Sequence, residues 1–288
     1  MSKIDITAFF HDDTNTITYV VVDKATSCCA IIDPVLDYDP ASGRSSTVSA
    51  DKIVSHIVKN GYKVEWILET HAHADHLSSA HYLKDNLTGD IGIGEHICRV
   101  QETFKKIFNL ETEFKTDGSQ FSHLFADKEM IKLGHVDITV LHTPGHTPAC
   151  VSYLIEDAVF VGDTLFMPDY GTARTDFPLG SAKVLYQSIQ RILSLPSLTR
   201  MFVGHDYKAP DRDVFAWETS VIEQQRNNVH VKAGVSEDEF VKMRDARDVT
   251  LNVPRLLLPA IQINIRAGVM PPKESNGHAY IKIPLNTL

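Results

Sequence analysis

Residues 70–76 read T-H-A-H-A-D-H, which places three histidines and one aspartate within six positions. The preceding stretch from Lys63 to Glu69, K-V-E-W-I-L-E, reads as a short buried strand. The following L-S-S-A-H-Y-L-K belongs to an expected helix from His76 to Asn86. His71, His73, Asp75 and His76 thus sit on a turn at the carboxyl end of a strand, where open α/β sheets place their sites. A strand would send alternate side chains to opposite faces, whereas an irregular turn lets all four face one pocket. Neutral imidazole and carboxylate are ligands for zinc and for non-haem iron. Burying four such groups without a cation is penalised. A solvated polar loop would account for one histidine but not for H-x-H-x-D-H.

Three later fragments can complete such a site. His146 lies in H-T-P-G-H-T-P-A-C after the apolar run Val136 to Leu141. Asp163 lies in V-F-V-G-D-T-L-F, and His205 in R-M-F-V-G-H-D-Y. Each follows a short β-rich run and is expected at the same sheet edge. Acidic residues outnumber basic ones, 37 to 28, for a formal charge of −9, which argues against a nucleic-acid surface. Cys28, Cys29, Cys98 and Cys150 follow neither a disulfide nor a four-thiolate zinc spacing. The amino terminus lacks a signal-peptide pattern, and no apolar run reaches the ~18 residues of a membrane span. A reducing cytoplasm is the expected compartment.

Along the chain, Ile4–Phe10, Thr16–Asp23 and Cys28–Asp33 are expected as antiparallel strands, followed by a loop over 34–50. A helix over Ala50–Asn60, capped by Ser49 and ended by Gly61, precedes the metal turn. Asp90–Gly94 reads as a strand, Glu95–Asn109 as a helix and 111–129 as irregular, with His123 on the surface. Strands at 130–133, 136–141, 151–155 and 158–162 lead to Asp163. A helix over Ser181–Leu193 and a strand over Arg200–Val203 lead to His205. Helices are expected over Asp213–Asn228 and Ser236–Asp248, the latter with a Ser236/Glu239 capping box. The alternation from Ala260 to Ile265 reads as a strand or extended arm.

The four fragments in this order resemble the metallo-β-lactamase fold superfamily, over about residues 15–210. That resemblance implies a four-layer αβ/βα sandwich with the metal at its rim. The character of the chain changes after residue 210, which divides it into a catalytic domain at 1–210 and a C-terminal extension at 211–288 on the same domain. The extension is expected to cover the pocket or to form a homodimer contact. In members with two metals, one ion sits at positions matching His71, His73 and His146. The other sits at Asp75, His76 and His205, with Asp163 bridging. Other members hold one iron by two histidines and a carboxylate.

The segments A-R-T-D-F and H-D-Y, together with H-T-P-G-H-T-P-A-C, resemble persulfide dioxygenases. These are iron enzymes that oxidise glutathione persulfide with O2 to sulfite and glutathione. The tail N-x-R-A-G-x-x-P-P resembles a bacterial branch called β-lactamase hydrolase-like. The resemblance implies one Fe(II) per chain on His71, His146 and Asp163. His73, Asp75, His76 and His205 would orient those ligands and bind water. Glutathione carries two carboxylates, so a cationic partner is expected. Arg174 is the first candidate, although it can instead pair with Asp176 or Asp169 and lock its loop. Tyr207, Arg226 and Arg266 are further candidates. No nucleic-acid or membrane partner is expected. The rivals are a glyoxalase II or lactonase type hydrolase with two zinc ions and a non-enzymatic metal-binding module. The donor atoms alone do not choose iron over zinc.

Overall fold

The computed structural model describes residues 2–287. Strands β1 (Ile4–His11), β2 (Thr16–Asp23) and β3 (Cys28–Ile32) form an antiparallel meander. After it come β4 (Val35–Asp39), β5 (Arg44–Ser46), α1 (Val48–Asn60) and β6 (Lys63–Leu68). Next are β7 (Leu77–Ser78), α2 (Ala80–Leu87), β8 (Asp90–Gly94), α3 (Ile97–Ile107) and β9 (His123–Phe125). The second half holds β10 (Met130–Leu133), β11 (Val136–His142), β12 (Val151–Ile155), β13 (Ala158–Phe160), α4 (Ala182–Leu193) and β14 (Arg200–Phe202). It ends with β15 (Glu218–Ser220), α5 (Val221–Asn227), α6 (Glu237–Asp248) and α7 (Leu257–Asn264).

Two six-stranded mixed sheets result, ordered β1-β2-β3-β6-β8-β9 and β10-β11-β12-β13-β14-β15. Strand β2 shows why they stack. All eight of its residues are buried, because the period-two alternation has an apolar layer on each side. Ile17, Tyr19 and Val21 enter the core between the sheets with Ile138, Val140, Tyr153 and Phe160. Val20 and Val22 face the other way, toward Ile53, Leu83, Phe104 and Ile261 of the helices. The second sheet is covered likewise by Leu185 and Ile189 of α4, Val221 of α5 and Phe240 of α6. This is the four-layer αβ/βα sandwich expected from the sequence. The segment after residue 210 contributes to both helical layers. Among the described residues, no helix is long and apolar enough to cross a membrane.

Several elements differ from their expected form. Residues 34–50 hold the β4–β5 hairpin rather than a loop. Ser49 lies inside α1, where its N–H and hydroxyl both donate to Asp37, at 2.8 and 2.7 Å. Gly61 does end α1, at φ 67°. Helix α2 begins at Ala80, because Leu77 and Ser78 pair with β4 instead. Residues 111–129 are not merely irregular: Phe114 and Phe121 enter the helical core, and β9 pairs with β8. Helix α5 is shorter than expected, because Glu218–Ser220 pairs with the edge of β14. The stretch at 260–264 is helical with Ile265 as its cap, and all six residues are buried, including Gln262 and Asn264. Its apolar–polar alternation therefore carried no information about burial.

Candidate metal centre

Both halves of the sandwich deliver strand ends to one rim. The turn after β6 lies beside Asp33, which ends β3, since these strands run parallel. On the other sheet β13 and β14 run parallel, so Asp163 and His205 leave side by side. The sheets are tied at this rim: Val151 N–H donates to Thr70 O at 2.9 Å, and Ile17 N–H to Gly204 O at 2.9 Å. Gly162, at φ 48°, packs against Thr70, and any Cβ there would come within 2.4 Å of the Thr70 hydroxyl. That contact presses the Asp163 loop onto the H-x-H-x-D-H turn.

All seven ligand-type residues meet here. Donor atoms of His71, His146 and Asp163 lie within 4.8 Å of one another, and those of His73, Asp75, His76 and His205 form a second such set. The Asp163 carboxylate faces both, with Oδ2 3.8 Å from His146 Nε2 and Oδ1 3.4 Å from His205 Nε2. His205 Nε2 is also 3.1 Å from Asp75 Oδ2.

Each imidazole is anchored by one nitrogen. His71 Nδ1 meets the Thr70 hydroxyl at 3.0 Å, and that hydroxyl donates to Asp33 at 2.8 Å. His146 Nδ1–H donates to Arg174 O at 2.8 Å. His73 Nε2 meets Asp33 at 3.0 Å and lies 3.5 Å from Glu69. His76 and His205 present Nδ1 to the Thr16 hydroxyl, at 3.4 and 3.3 Å. The opposite nitrogens of His71, His73, His76 and His205, with Asp163 Oδ1, are buried without a hydrogen-bond partner, although His205 Nε2 has the Asp75 and Asp163 carboxylates beside it. Each such atom would cost ~1–3 kcal/mol if left unmade. They fall in the two donor sets, His71 and Asp163 in one and His73, His76 and His205 in the other, and buried donors grouped in this way fit a bound cation. Anchoring one ring nitrogen to aim the other is how ligating histidines are held.

The charge states of His71 and His76 agree with that use, and that of His73 follows its carboxylate partners instead. Burial, helped by His73 and His146, holds the His71 imidazolium far below its ordinary pKa, so the ring is neutral. Burial also lowers His76, to about 4. Burial opposes charge on His73 too, but Asp33 and Glu69 outweigh it and raise its pKa well above the ordinary value.

The centre opens into a cleft of about 340 Å³. Arg174 and Tyr207 line it, but the Arg174 guanidinium is engaged: Nε and Nη2 donate to Asp176 at 2.6 and 2.5 Å, and Nη1 to Asn252 O at 2.7 Å. Tyr207 stacks on His205 with ring centroids 5.5 Å apart. Arg226 and Arg266 do not line the cleft. Arg226 is exposed on the last turn of α5. Arg266 is bound to Glu111 at 2.6 and 3.0 Å and covers the Phe114 ring. Cys150 is buried, which raises its thiol to about 12.

Sequence reasoning passed over the supports. Thr16, Asp33, Glu69 and Asn264 carry no motif, although Asp33 sits at a strand end like the residues that were singled out. Asn264 of α7 donates to His73 O and His76 O, both at 2.8 Å, and accepts from Ser78 N–H at 2.8 Å. One buried amide thus holds the metal turn from 188 residues away. Arg244, Arg247 and Arg255, which also line the cleft, were missed as well.

Comparison with known proteins agrees with the architecture. Residues 12–205 match the Metallo-beta-lactamase superfamily. A protein named Glyoxylase B2 from Dictyostelium discoideum is 53% identical over 100% of this chain and 99% of its own. A Beta-lactamase hydrolase-like protein of Xylella fastidiosa is 50% identical over 98% of this chain and 65% of its own. The mouse protein named Persulfide dioxygenase ETHE1, mitochondrial, is 28% identical over 91% of this chain and 88% of its own. The crystal structure of ETHE1 from Myxococcus xanthus superposes with a TM-score of 0.73 at 28% identity, covering 92% of this chain and all of that one.

Proposed function

The chain belongs to the metallo-β-lactamase superfamily, and from that footing we propose that it is an iron-dependent persulfide dioxygenase acting on glutathione persulfide. The observation that carries this reading is the donor set of His71, His146 and Asp163, two imidazoles and one carboxylate gathered in one place. His73 falls in the other set, with its second nitrogen engaged by Asp33 and Glu69. Two histidines with one carboxylate leave open positions for O2 and substrate on a ferrous ion. The mouse and Myxococcus proteins support the same reading through likeness over nearly the whole chain.

A ferrous ion at this set would supply the oxygen activation that no side chain here can perform. The protein's part is positional. Thr70 and the Arg174 carbonyl fix the two rings that would bind the metal. Phe166, Tyr170 and Tyr207 wall the cleft with aromatic surface and limit water. Asp75, His76 and His205 present a polar wall beside the metal set, suited to holding the water consumed when persulfide is converted to sulfite and thiol. A reducing cytoplasm suits both this chemistry and the four free cysteines.

A second reading is a dinuclear hydrolase of glutathione thioesters. The complete second donor set and the Dictyostelium relative's name favour it. Elemental analysis of freshly purified protein separates the two. One iron per chain supports the dioxygenase, and two metals per chain, zinc above all, would overturn it.

A further inference from the structure

We infer that Arg247 and Arg255 form an anion-binding rim that receives the carboxylates of the substrate's thiol carrier. This deepens the reading above and rests on it only for the glutathione-type substrate. The cleft is lined by buried His146, Asp163 and Arg244 and also by Arg247, Leu251, Pro254 and Arg255, of which the two arginines are exposed. Four guanidiniums therefore line one cleft in a chain whose formal charge is −9.

Two of the four are already matched. Arg174 is bidentate to Asp176, and buried Arg244 holds Asp248 through Nε at 2.8 Å and Nη2 at 2.6 Å. Arg247 and Arg255 are exposed, and no carboxylate among the described residues lies within 4.0 Å of either. Guanidinium is the side chain that reads a carboxylate through two parallel hydrogen bonds. A pair of free ones on a cleft wall suits a ligand with a carboxylate at each end. Asp13, exposed on the same cleft, suits the ammonium of a γ-glutamyl group. The volume lies at the small end of the range for ligand clefts, in keeping with a tripeptide thiol.

The unpaired arginines lie one at the end of α6 and one between α6 and α7. The segment after residue 210 therefore supplies recognition, whereas the first part of the chain supplies the metal turn. Arg174, the first candidate by sequence, then acts by fixing the cleft wall rather than by meeting the substrate.

The test is calorimetric binding of S-methylglutathione to the metal-loaded protein, which involves no turnover. Arg247→Ala and Arg255→Ala should each weaken binding about five-fold, and the double variant further. Arg99→Ala, an exposed arginine on α3, should bind as the wild type does. S-methylglutathione dimethyl ester, with both carboxylates capped, should bind the wild type as weakly as the acid binds the double variant. Wild-type affinity for the acid should also fall as salt rises. Unchanged binding in the double variant, or equal binding of acid and ester by the wild type, would overturn the proposal. If the protein proves to be a thioester hydrolase, these results still stand, because glutathione thioesters carry the same carboxylates.

Discussion

At the scale of single residues, the site depends on buried donor atoms that lack hydrogen-bond partners and suit a cation. His71→Ala and Asp163→Ala each remove a donor from the first set and should abolish stable metal binding, read by elemental analysis. Full metal content in either variant would remove that residue from the ligand set. Arg174→Ala should keep its metal, because the carbonyl rather than the guanidinium holds His146. Its apparent substrate affinity should drop as the cleft wall loosens, read as a higher KM with intact metal content. Away from the metal, His230 is held neutral by burial and by Arg244 and Arg247, with its pKa lowered to about 4. Its Nδ1 accepts from Thr172 N–H at 3.1 Å, a bond that protonation would break. The unfolded chain titrates near 6.5, so it binds more protons than the folded one between those two values. Stability from this group is therefore complete above about pH 6.5 and lost toward pH 4, by up to ~3 kcal/mol. Denaturant titrations of the wild type and His230→Phe across that window should show a steeper pH slope in the wild type.

At the scale of elements, the clustering of the candidate ligands was legible because their signal is local. A strand pattern followed by a metal-ligating residue recurs at His71, His146, Asp163 and His205, and each strand places its residue at one rim. The supports were not legible, because nothing near them in sequence reports a contact made across the molecule. Asn264 is the clearest case. Read alone, I-Q-I-N looks like a half-exposed strand, yet it is helix α7 with its polar members buried for hydrogen bonding. Asn264→Ala would orphan two carbonyls and one N–H of the metal turn. Metal affinity should fall about 10–100-fold, as for other groups that aim ligands. The change is read by competition with a chelator at a temperature where the variant remains folded. Unaltered affinity would reduce α7 to packing alone.

At the scale of the whole molecule, two sheets bring strand ends to a common rim, and the segment after residue 210 closes the arrangement from both helical layers. The αβ/βα layering was legible in two runs of strands and helices. The hairpin at β4–β5 and the strand β9 were not, because edge pairing leaves weak patterns in short polar stretches. Seven metal-ligating side chains permit one ion or two, so reaction chemistry has to decide between them. The most direct measurement is oxygen consumption by the iron-loaded protein on glutathione persulfide, with sulfite quantified in the same sample. Uptake of O2 matched by sulfite, and abolished in Asp163→Ala, is the expected result. Rapid cleavage of a glutathione thioester with no O2 uptake on persulfide would contradict it.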